Sequence, residues 1–459
     1  MEMAELYSKK MMTERDSIQY QPDEIETFVM LAVKNKEWKK DVITFDDYRR
    51  CIEGIRHYHS PYLFNKTGDD FAYQYIQLAS ATQFIHQIHP YLIVSRYYSY
   101  FTHQDNSIDM KQIFYDKFGF DYQDILIPAV ILWLSLILNK SSTKKTFLWL
   151  RAHFRAAFDT LSISRDNYIK ELDEHSNTQE DYRYCLRPSY SWPFIEEKNV
   201  VYCPTPHLIL IAATSSLLFR ITDSNDRLRE RIGKNVIESY LANYARNSDL
   251  FDEVLAEQTY KKHKQELRTL DVMASINGII VCFDSKSLSP AVSMRIFDEK
   301  GYESTKIRMV KALKQVYLHI HDRFGKDYSY LHAPLTEERE NIFGFVVVLE
   351  DPYFSLKELY KAVAEELRIN EYSDEYDWLT KHVGVVGMDL LEKQFAMATK
   401  QGFINCVQQH IKSGSVNDYW FTHIDGEMKR PPDFFLQFFK NCVNPVLQEM
   451  QTDGIESPI

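Results

Sequence analysis

The chain has 459 residues, of which 45% are hydrophobic and 26% are charged, and its formal net charge is −11. This composition excludes an intrinsically disordered chain and predicts two or three domains, each with a sizeable core. The negative charge disfavours nucleic-acid binding over the whole surface, so a nucleic-acid binder of this composition would gather its Lys and Arg residues at one site.

Cysteine usage and the apolar segments indicate a cytoplasmic protein. The six cysteines form no CxxC pair, which argues against a zinc ribbon or a thioredoxin-type site and fits a reducing compartment. The N-terminus has no apolar segment of the signal-peptide kind. The most apolar run, residues 125–138, is shorter than the about 20 residues that a membrane-spanning helix needs. We therefore expect a buried helix there and no membrane partner.

Residues 1–180 are predicted to form a helical, aromatic-rich domain that senses, regulates or oligomerises. Apolar and aromatic residues recur at helical spacing in segments 45–64 and 69–101. The polar segment 170–184 is predicted to be a linker or an exposed loop.

Residues 181–395 are predicted to form an α/β domain, with a mixed sheet flanked by helices. A short hairpin is expected around residues 196–199, followed by a helix after Pro206. The apolar run at 342–350 is typical of a strand that is covered on both faces, and a further short strand is expected at 382–388. Helices are predicted at 226–246, 250–267, 303–324 and 355–368, and residues 396–459 form a C-terminal helical segment.

A hairpin in residues 270–287 carries two acids and a lysine. The pair Asn277-Gly278 indicates a type I′ turn, because both central positions of that turn require a positive φ. Counting outward from the turn places Asp271 opposite Asp284, and Lys286 shares the face of Asp284.

Two aspartates directly opposite each other destabilise a sheet, so a compensating positive group is expected. A divalent cation held by the carboxylates would compensate them, and hard oxygen ligands of this kind suit Mg²⁺ or Mn²⁺. The alternative is a solvated rim of the hairpin. The strand at 279–283 is apolar on both faces, which favours a central strand and therefore a site.

Asp271, twelve intervening residues and then Asp284-Ser285-Lys286 resemble the motif of the PD-(D/E)xK nuclease superfamily. Glu238 matches the position of the acid that this family usually carries on the helix before the sheet. Leu270 stands where the name-giving Pro would be. The resemblance covers roughly residues 185–390 and implies a restriction-endonuclease-like fold.

The resemblance also implies a function. Asp271, Asp284, the carbonyl of Ser285 and Glu238 would bind Mg²⁺ or Mn²⁺, and Lys286 would orient a water molecule or stabilise negative charge. The expected reaction is hydrolysis of phosphodiester bonds, in DNA rather than RNA, within restriction or anti-phage defence. The alternative is an inactive nuclease-like scaffold that binds a partner protein.

Basic residues near this motif are candidates for nucleic-acid binding. They precede and follow the hairpin: Arg227, Arg229, Arg231, Lys234, Lys261, Lys262, Lys264, Arg268, Lys306, Arg308, Lys311 and Lys314. The alternative for these residues is that they lie on ordinary solvated helix faces. The sequence contains no P-loop, no GxGxxG and no GxSxG motif, which argues against an NTPase, a dinucleotide enzyme and an α/β-hydrolase.

Overall fold

The computed structural model divides the chain into two units. The first comprises Met1–Ser224 and Asp433–Ile459, and the second comprises Asn225–Pro432. The structure describes residues 4–7, 21–35, 44–58, 76, 89–138, 143–174, 176, 180–183, 187–223, 225–262, 264–287, 299–323, 338–413, 420–421 and 432–456.

This division differs from the predicted boundaries after residues 180 and 395. Contacts between residues distant in sequence place residues 181–224 and 433–459 in the first unit. Strand β1 (Ser162–Ser164) pairs in parallel with β2 (Phe194–Glu197), which ties residues beyond 180 to the first unit. A C-terminal helix, Asp433–Phe438, packs on the helix Pro90–Thr102. The segment predicted as a linker contains the end of a helix, Arg165–Glu174, and the buried Tyr182.

The first unit is helical with a small three-stranded sheet, in the order β1-β2-β3, where β3 is Val200–Tyr202. The predicted hairpin around residues 196–199 is confirmed by the antiparallel pairing of β2 and β3. Its helices are α1 (Pro22–Lys34), α2 (Phe45–Arg56), α3 (Pro90–Thr102), α4 (Met110–Phe118), α5 (Gln123–Ile137), α6 (Thr143–His153), α7 (Arg155–Leu161), α8 (Arg165–Glu174), α9 (Ile209–Ala212) and α10 (Ser215–Thr222). Most of the predicted helical segment before residue 89 lies outside the described residues.

Helix α5 contains the most apolar run, and its residues from Ile125 to Leu132 are buried, as predicted. No single helix in the described part of the chain is long and apolar enough to cross a membrane. Helices α4 and α5 reach the required length and hydropathy only together, and a bend of 82° separates them.

The second unit is built on a mixed five-stranded sheet in the order β10-β9-β8-β7-β4. A separate two-stranded sheet pairs β5 with β6. The strands are β4 (Glu253–Ala256), β5 (Thr259–Lys262), β6 (Gln265–Arg268), β7 (Val272–Ile276), β8 (Ile279–Lys286), β9 (Ile342–Val348) and β10 (Val383–Gly387). The fold class is therefore mixed α/β, as predicted.

Helices of the second unit cover both faces of this sheet. Phe283 of β8 packs with Phe345 of β9 and with Phe395. On the opposite face, Val316 and Ile320 press against Gly344, where a side chain would collide with them. The helices are α11 (Asp226–Ile232), α12 (Glu238–Asn247), α13 (Glu299–Arg323), α14 (Leu356–Leu367), α15 (Asp374–His382), α16 (Met388–Met397) and α17 (Lys400–Ser413). The first unit ends with α18 (Asp433–Phe438) and α19 (Asn444–Thr452).

The predicted hairpin is confirmed together with its register. Asn277 and Gly278 have φ values of 48° and 79°, as a type I′ turn requires. The ladder runs from Ile276 opposite Ile279 to Val272 opposite Phe283, in the predicted pairing. Strand β8 is the central strand, because β9 pairs with it in parallel on its other side.

The prediction of a helix at residues 250–267 is wrong. This segment forms β4, β5 and β6 instead. Its Leu, Glu, Lys and Gln residues favour a helix locally, but pairing of β4 with β7 extends the sheet and outweighs that preference.

Candidate active site at the carboxyl end of strand β8

Three acidic residues adjoin one another at one edge of the five-stranded sheet. The β4–β7 ladder ends with Ala256 opposite Val272, and the β7–β8 ladder ends with Val272 opposite Phe283. The next residues in these registers are Glu257, Asp271 and Asp284. The carboxyl end of β8 thus carries a row of acids that is supplied by three neighbouring strands.

The carboxylate of Asp271 is held by the backbone and side chain of β8. Its Oδ2 accepts hydrogen bonds from the Ser285 N–H at 2.6 Å and from the Ser285 Oγ–H at 2.7 Å. Asp271 and Ser285 are 7% and 6% exposed, so these bonds form away from bulk water. This arrangement fixes the Asp271 carboxylate against the Asp284-Ser285-Lys286 segment.

Lys286 points toward the aspartates. Its Nζ lies 2.8 Å from Asp284 Oδ2, and its side chain is 31% exposed, whereas that of Asp284 is 2% exposed. The contact is an ion pair between a lysine ammonium group and a buried carboxylate. The carboxyl end of strand β8 therefore carries the buried carboxylate of Asp284 and the partly exposed ammonium group of Lys286.

Glu238 reaches the site from a helix that is interrupted by a π-helical segment, Gly233–Ile237. Segments of π-helix are often found at functional sites, because they re-aim the residues that follow. Gly233 lies so close to the end of β8 that a Cβ atom there would be 2.8 Å from Ser287 Oγ. The absence of a side chain at Gly233 lets this helix approach the strand and carry Glu238 toward Asp271.

Substitution of Gly233 by alanine is expected to destabilise the second unit by about 1–3 kcal/mol, because the new Cβ atom overpacks against Ser287. An alanine in an unobstructed helix would instead stabilise the protein. The double variant Gly233→Ala/Ser287→Gly removes both colliding Ser287 atoms and should recover the loss. Thermal unfolding of the two single variants and the double variant measures this coupling, and purely additive effects would contradict the contact.

Burial raises the pKa of two carboxyl groups into the neutral range. The pKa of Asp271 rises to about 7 through burial and then through the charge of Asp284, against the opposing hydrogen bonds from Ser285. Burial raises the pKa of Glu238 to about 8, and Asp271 and Glu257 add to this rise. The site without a bound cation therefore holds protons near pH 7.

The ion pair shifts the pKa values of its own partners as well. Burial raises the pKa of Asp284, and the Lys286 charge opposes that rise. Burial alone would lower the pKa of Lys286, but Asp284, Asp271 and Glu238 together raise it. Lys286 thus stays positively charged throughout the neutral range.

Glu257 is a site residue that the sequence analysis missed. It adjoins the end of β4, it pairs with Arg268 at 3.0 Å, and its charge raises the pKa of both Glu238 and Asp284. No alternation of polar and apolar residues marks segment 253–257, so only the pairing of β4 with β7 places Glu257 beside Asp271.

The predicted nucleic-acid-binding residues differ in their exposure, and two of the lysines form ion pairs. Arg227, Arg231 and Lys234 are exposed on the helix that leads to Glu238, and Arg308 and Lys311 are exposed on α13. Lys306 is paired with Glu358 at 3.3 Å and Lys314 with Glu366 at 2.8 Å.

Arg308 and Arg229 come close enough for their charges to interact across two helices. Partial burial of Arg308 lowers its pKa, and the neighbouring Arg229 lowers it further, whereas Asp226 raises it. Arg229 lies 3.8 Å from Asp226, so the two guanidinium groups share a nearby carboxylate.

The donor set fits a divalent cation. Asp271, Asp284 and Glu238 share one lysine, so their ionised forms carry excess negative charge in a largely buried place, and carboxylate oxygens are the ligands that Mg²⁺ and Mn²⁺ prefer. No group of three or more His, Cys, Asp or Glu residues is already arranged as a metal cluster in the described ranges. Ser285 contacts Oδ2 of Asp271, and Lys286 contacts Oδ2 of Asp284.

Comparison with known proteins adds no relative to this picture. No protein-family model, no curated protein and no solved structure matches the chain. The function is therefore argued from the arrangement of the site residues.

Proposed function

We propose that this protein is a metal-dependent nuclease that hydrolyses phosphodiester bonds in DNA, with a restriction-endonuclease-like second unit. The observation that carries the proposal is the grouping of Asp271, Asp284 and Lys286 at the end of a central strand, with Lys286 Nζ 2.8 Å from Asp284. The mixed five-stranded sheet with helices on both faces supports the same proposal.

Asp271, Asp284, the carbonyl of Ser285 and Glu238 would hold Mg²⁺ or Mn²⁺ in this proposal. The cation would lower the pKa of a bound water molecule and polarise the scissile phosphate. Lys286, which remains charged, would stabilise the negative charge that develops on the phosphate oxygens.

Ser285 and Glu238 have supporting roles. The two hydrogen bonds from Ser285 keep the Asp271 carboxylate oriented. In the cation-free site burial raises the pKa of Glu238 to about 8, so this carboxyl group would release its proton on binding a cation near neutral pH.

The alternative of an inactive scaffold is less well supported. A scaffold places no constraint on Lys286, whereas this side chain turns inward to the buried Asp284. Buried acids with raised pKa values beside a charged lysine are characteristic of functional sites and cost stability elsewhere. A role in restriction or anti-phage defence remains part of the proposal and would require Lys286 for protection of cells.

A cleavage assay tests the proposal. Purified protein with Mg²⁺ or Mn²⁺ is incubated with linear, circular and single-stranded DNA and with RNA. We expect the wild type to cut DNA and Asp284→Ala to leave it intact, and cutting of circular DNA identifies an endonuclease. Failure to cut any substrate, or equal cutting by Asp284→Ala, contradicts the proposal.

A further inference from the structure

Strands β5 and β6 form a two-stranded ribbon that is separate from the five-stranded sheet. The pairing runs from Thr259 opposite Arg268 to Lys262 opposite Gln265. The sequence inserts this ribbon between β4 and β7, directly before the site residue Asp271.

The ribbon is strongly basic in an acidic protein. Residues 259–268 contain four Lys or Arg residues and one acid, whereas the whole chain has a net charge of −11. All three lysines of this segment, at positions 261, 262 and 264, come where the chain passes from β5 to β6. Lys261 and Lys264 are exposed. Positive charge is thus concentrated at the free end of the ribbon.

The base of the ribbon is fixed to the candidate active site. The Thr269 N–H donates to Gln258 O, and the Gln258 N–H donates to Thr269 Oγ1, both at 2.9 Å. Arg268 bridges to Glu257, whose charge acts on Glu238 and Asp284. The ribbon is therefore joined to the site at its base.

One side of the ribbon is anchored. Tyr260 is 2% exposed, and Leu270, just beyond β6, is also 2% exposed. Lys261 and Arg268 lie on the face opposite Tyr260 and its cross-strand partner Leu267, and both are exposed; Glu266 stands opposite Lys261 on that face. The buried residues fix the direction in which the basic end projects.

We propose that the β5–β6 ribbon binds the substrate as a B-form DNA duplex, with Lys261 and Lys264 contacting backbone phosphates. The major groove of B-form DNA admits a two-stranded β-ribbon, whereas that of A-form RNA is too deep and narrow. The ribbon thereby selects duplex DNA over duplex RNA. This inference rests on the proposed nuclease function and specifies its substrate.

The test measures binding of fluorescent DNA duplex, single-stranded DNA and RNA duplex by anisotropy over a range of salt concentrations, with EDTA to prevent cleavage. The variants are Lys261→Ala/Lys264→Ala and the control Lys361→Ala/Lys381→Ala. The control removes the same charge from helices α14 and α15. Cleavage with Mg²⁺ is measured in parallel.

We expect the wild type to prefer duplex DNA. The slope of log K against log salt should become shallower by about 1.8 in the ribbon variant, and its affinity should fall on the order of tenfold, with no change in the control. An unchanged slope in the ribbon variant, a preference for another nucleic acid or no binding by the wild type overturns the inference. If Mg²⁺-dependent cleavage continues in those cases, the proposed nuclease function is still supported and only the role of the ribbon is contradicted. Absence of cleavage by the wild type contradicts both the nuclease function and the role of the ribbon.

Discussion

Substitution of Lys286 by alanine is expected to lower the rate of DNA cleavage at saturating substrate by about 100- to 1000-fold. Loss of one preorganised positive group that stabilises transition-state charge has an effect of this size. Lys286 remains charged because the surrounding acids raise its pKa, so its ammonium is available throughout the neutral range. Single-turnover cleavage with Mg²⁺ measures the effect.

The same substitution leaves Asp284 buried without its cation, so folding needs a separate control. Lys286→Arg keeps the positive charge and should fold like the wild type, while its larger, planar head group should restore only part of the rate. Lys381→Ala, on helix α15, should cut like the wild type. Wild-type rates in folded Lys286→Ala would eliminate the assigned role of this lysine.

Substitution of Asp271 by asparagine is expected to stabilise the metal-free protein at pH 8 but not at pH 4. The folded state raises the pKa of Asp271 from 3.8 to about 7, so it favours the protonated carboxyl group. That contribution to stability is complete below the unfolded pKa and is lost as the pH rises through the folded pKa. The loss by pH 8 is on the order of 4 kcal/mol. Asparagine does not titrate, and its side-chain oxygen can still accept both hydrogen bonds from Ser285.

Thermal unfolding in EDTA between pH 4 and pH 8.5 measures this difference. Addition of Mg²⁺ at pH 8 should then stabilise the wild type more than Asp271→Asn, because only the ionised carboxylate is a strong ligand. A stability difference that is independent of pH would show that Asp271 does not experience the proposed burial and charge repulsion.

The hairpin at the site was predictable because local signals specify it. Asn277-Gly278 determines the turn type, the turn determines the register, and the register brings Asp271 to the end of β8. The apolar run 279–283 likewise predicted a central strand, which the pairing with β9 confirms. The alternation of side chains along a strand and the residue preferences of a turn both depend on only a few neighbouring residues. They can therefore be recognised in a single sequence.

Features that depend on distant contacts were not predictable in the same way. Residues 250–267 are good helix formers, and only their pairing with β7 makes β4 a strand and brings Glu257 to the site. The domain division also depends on the pairing of β1 with β2 and on the packing of α18 against α3. The π-helical segment and the approach of Gly233 to Ser287 leave no local pattern either.

Location of bound Mn²⁺ by anomalous X-ray scattering from crystals tests the central claim most directly, because the proposed chemistry requires a cation at this site. The predicted result is one or two peaks coordinated by the carboxylates of Asp271 and Asp284, lost in Asp284→Asn. Absence of a peak there at saturating Mn²⁺ and pH 8, above the pKa of about 7 of Asp271, would contradict the account.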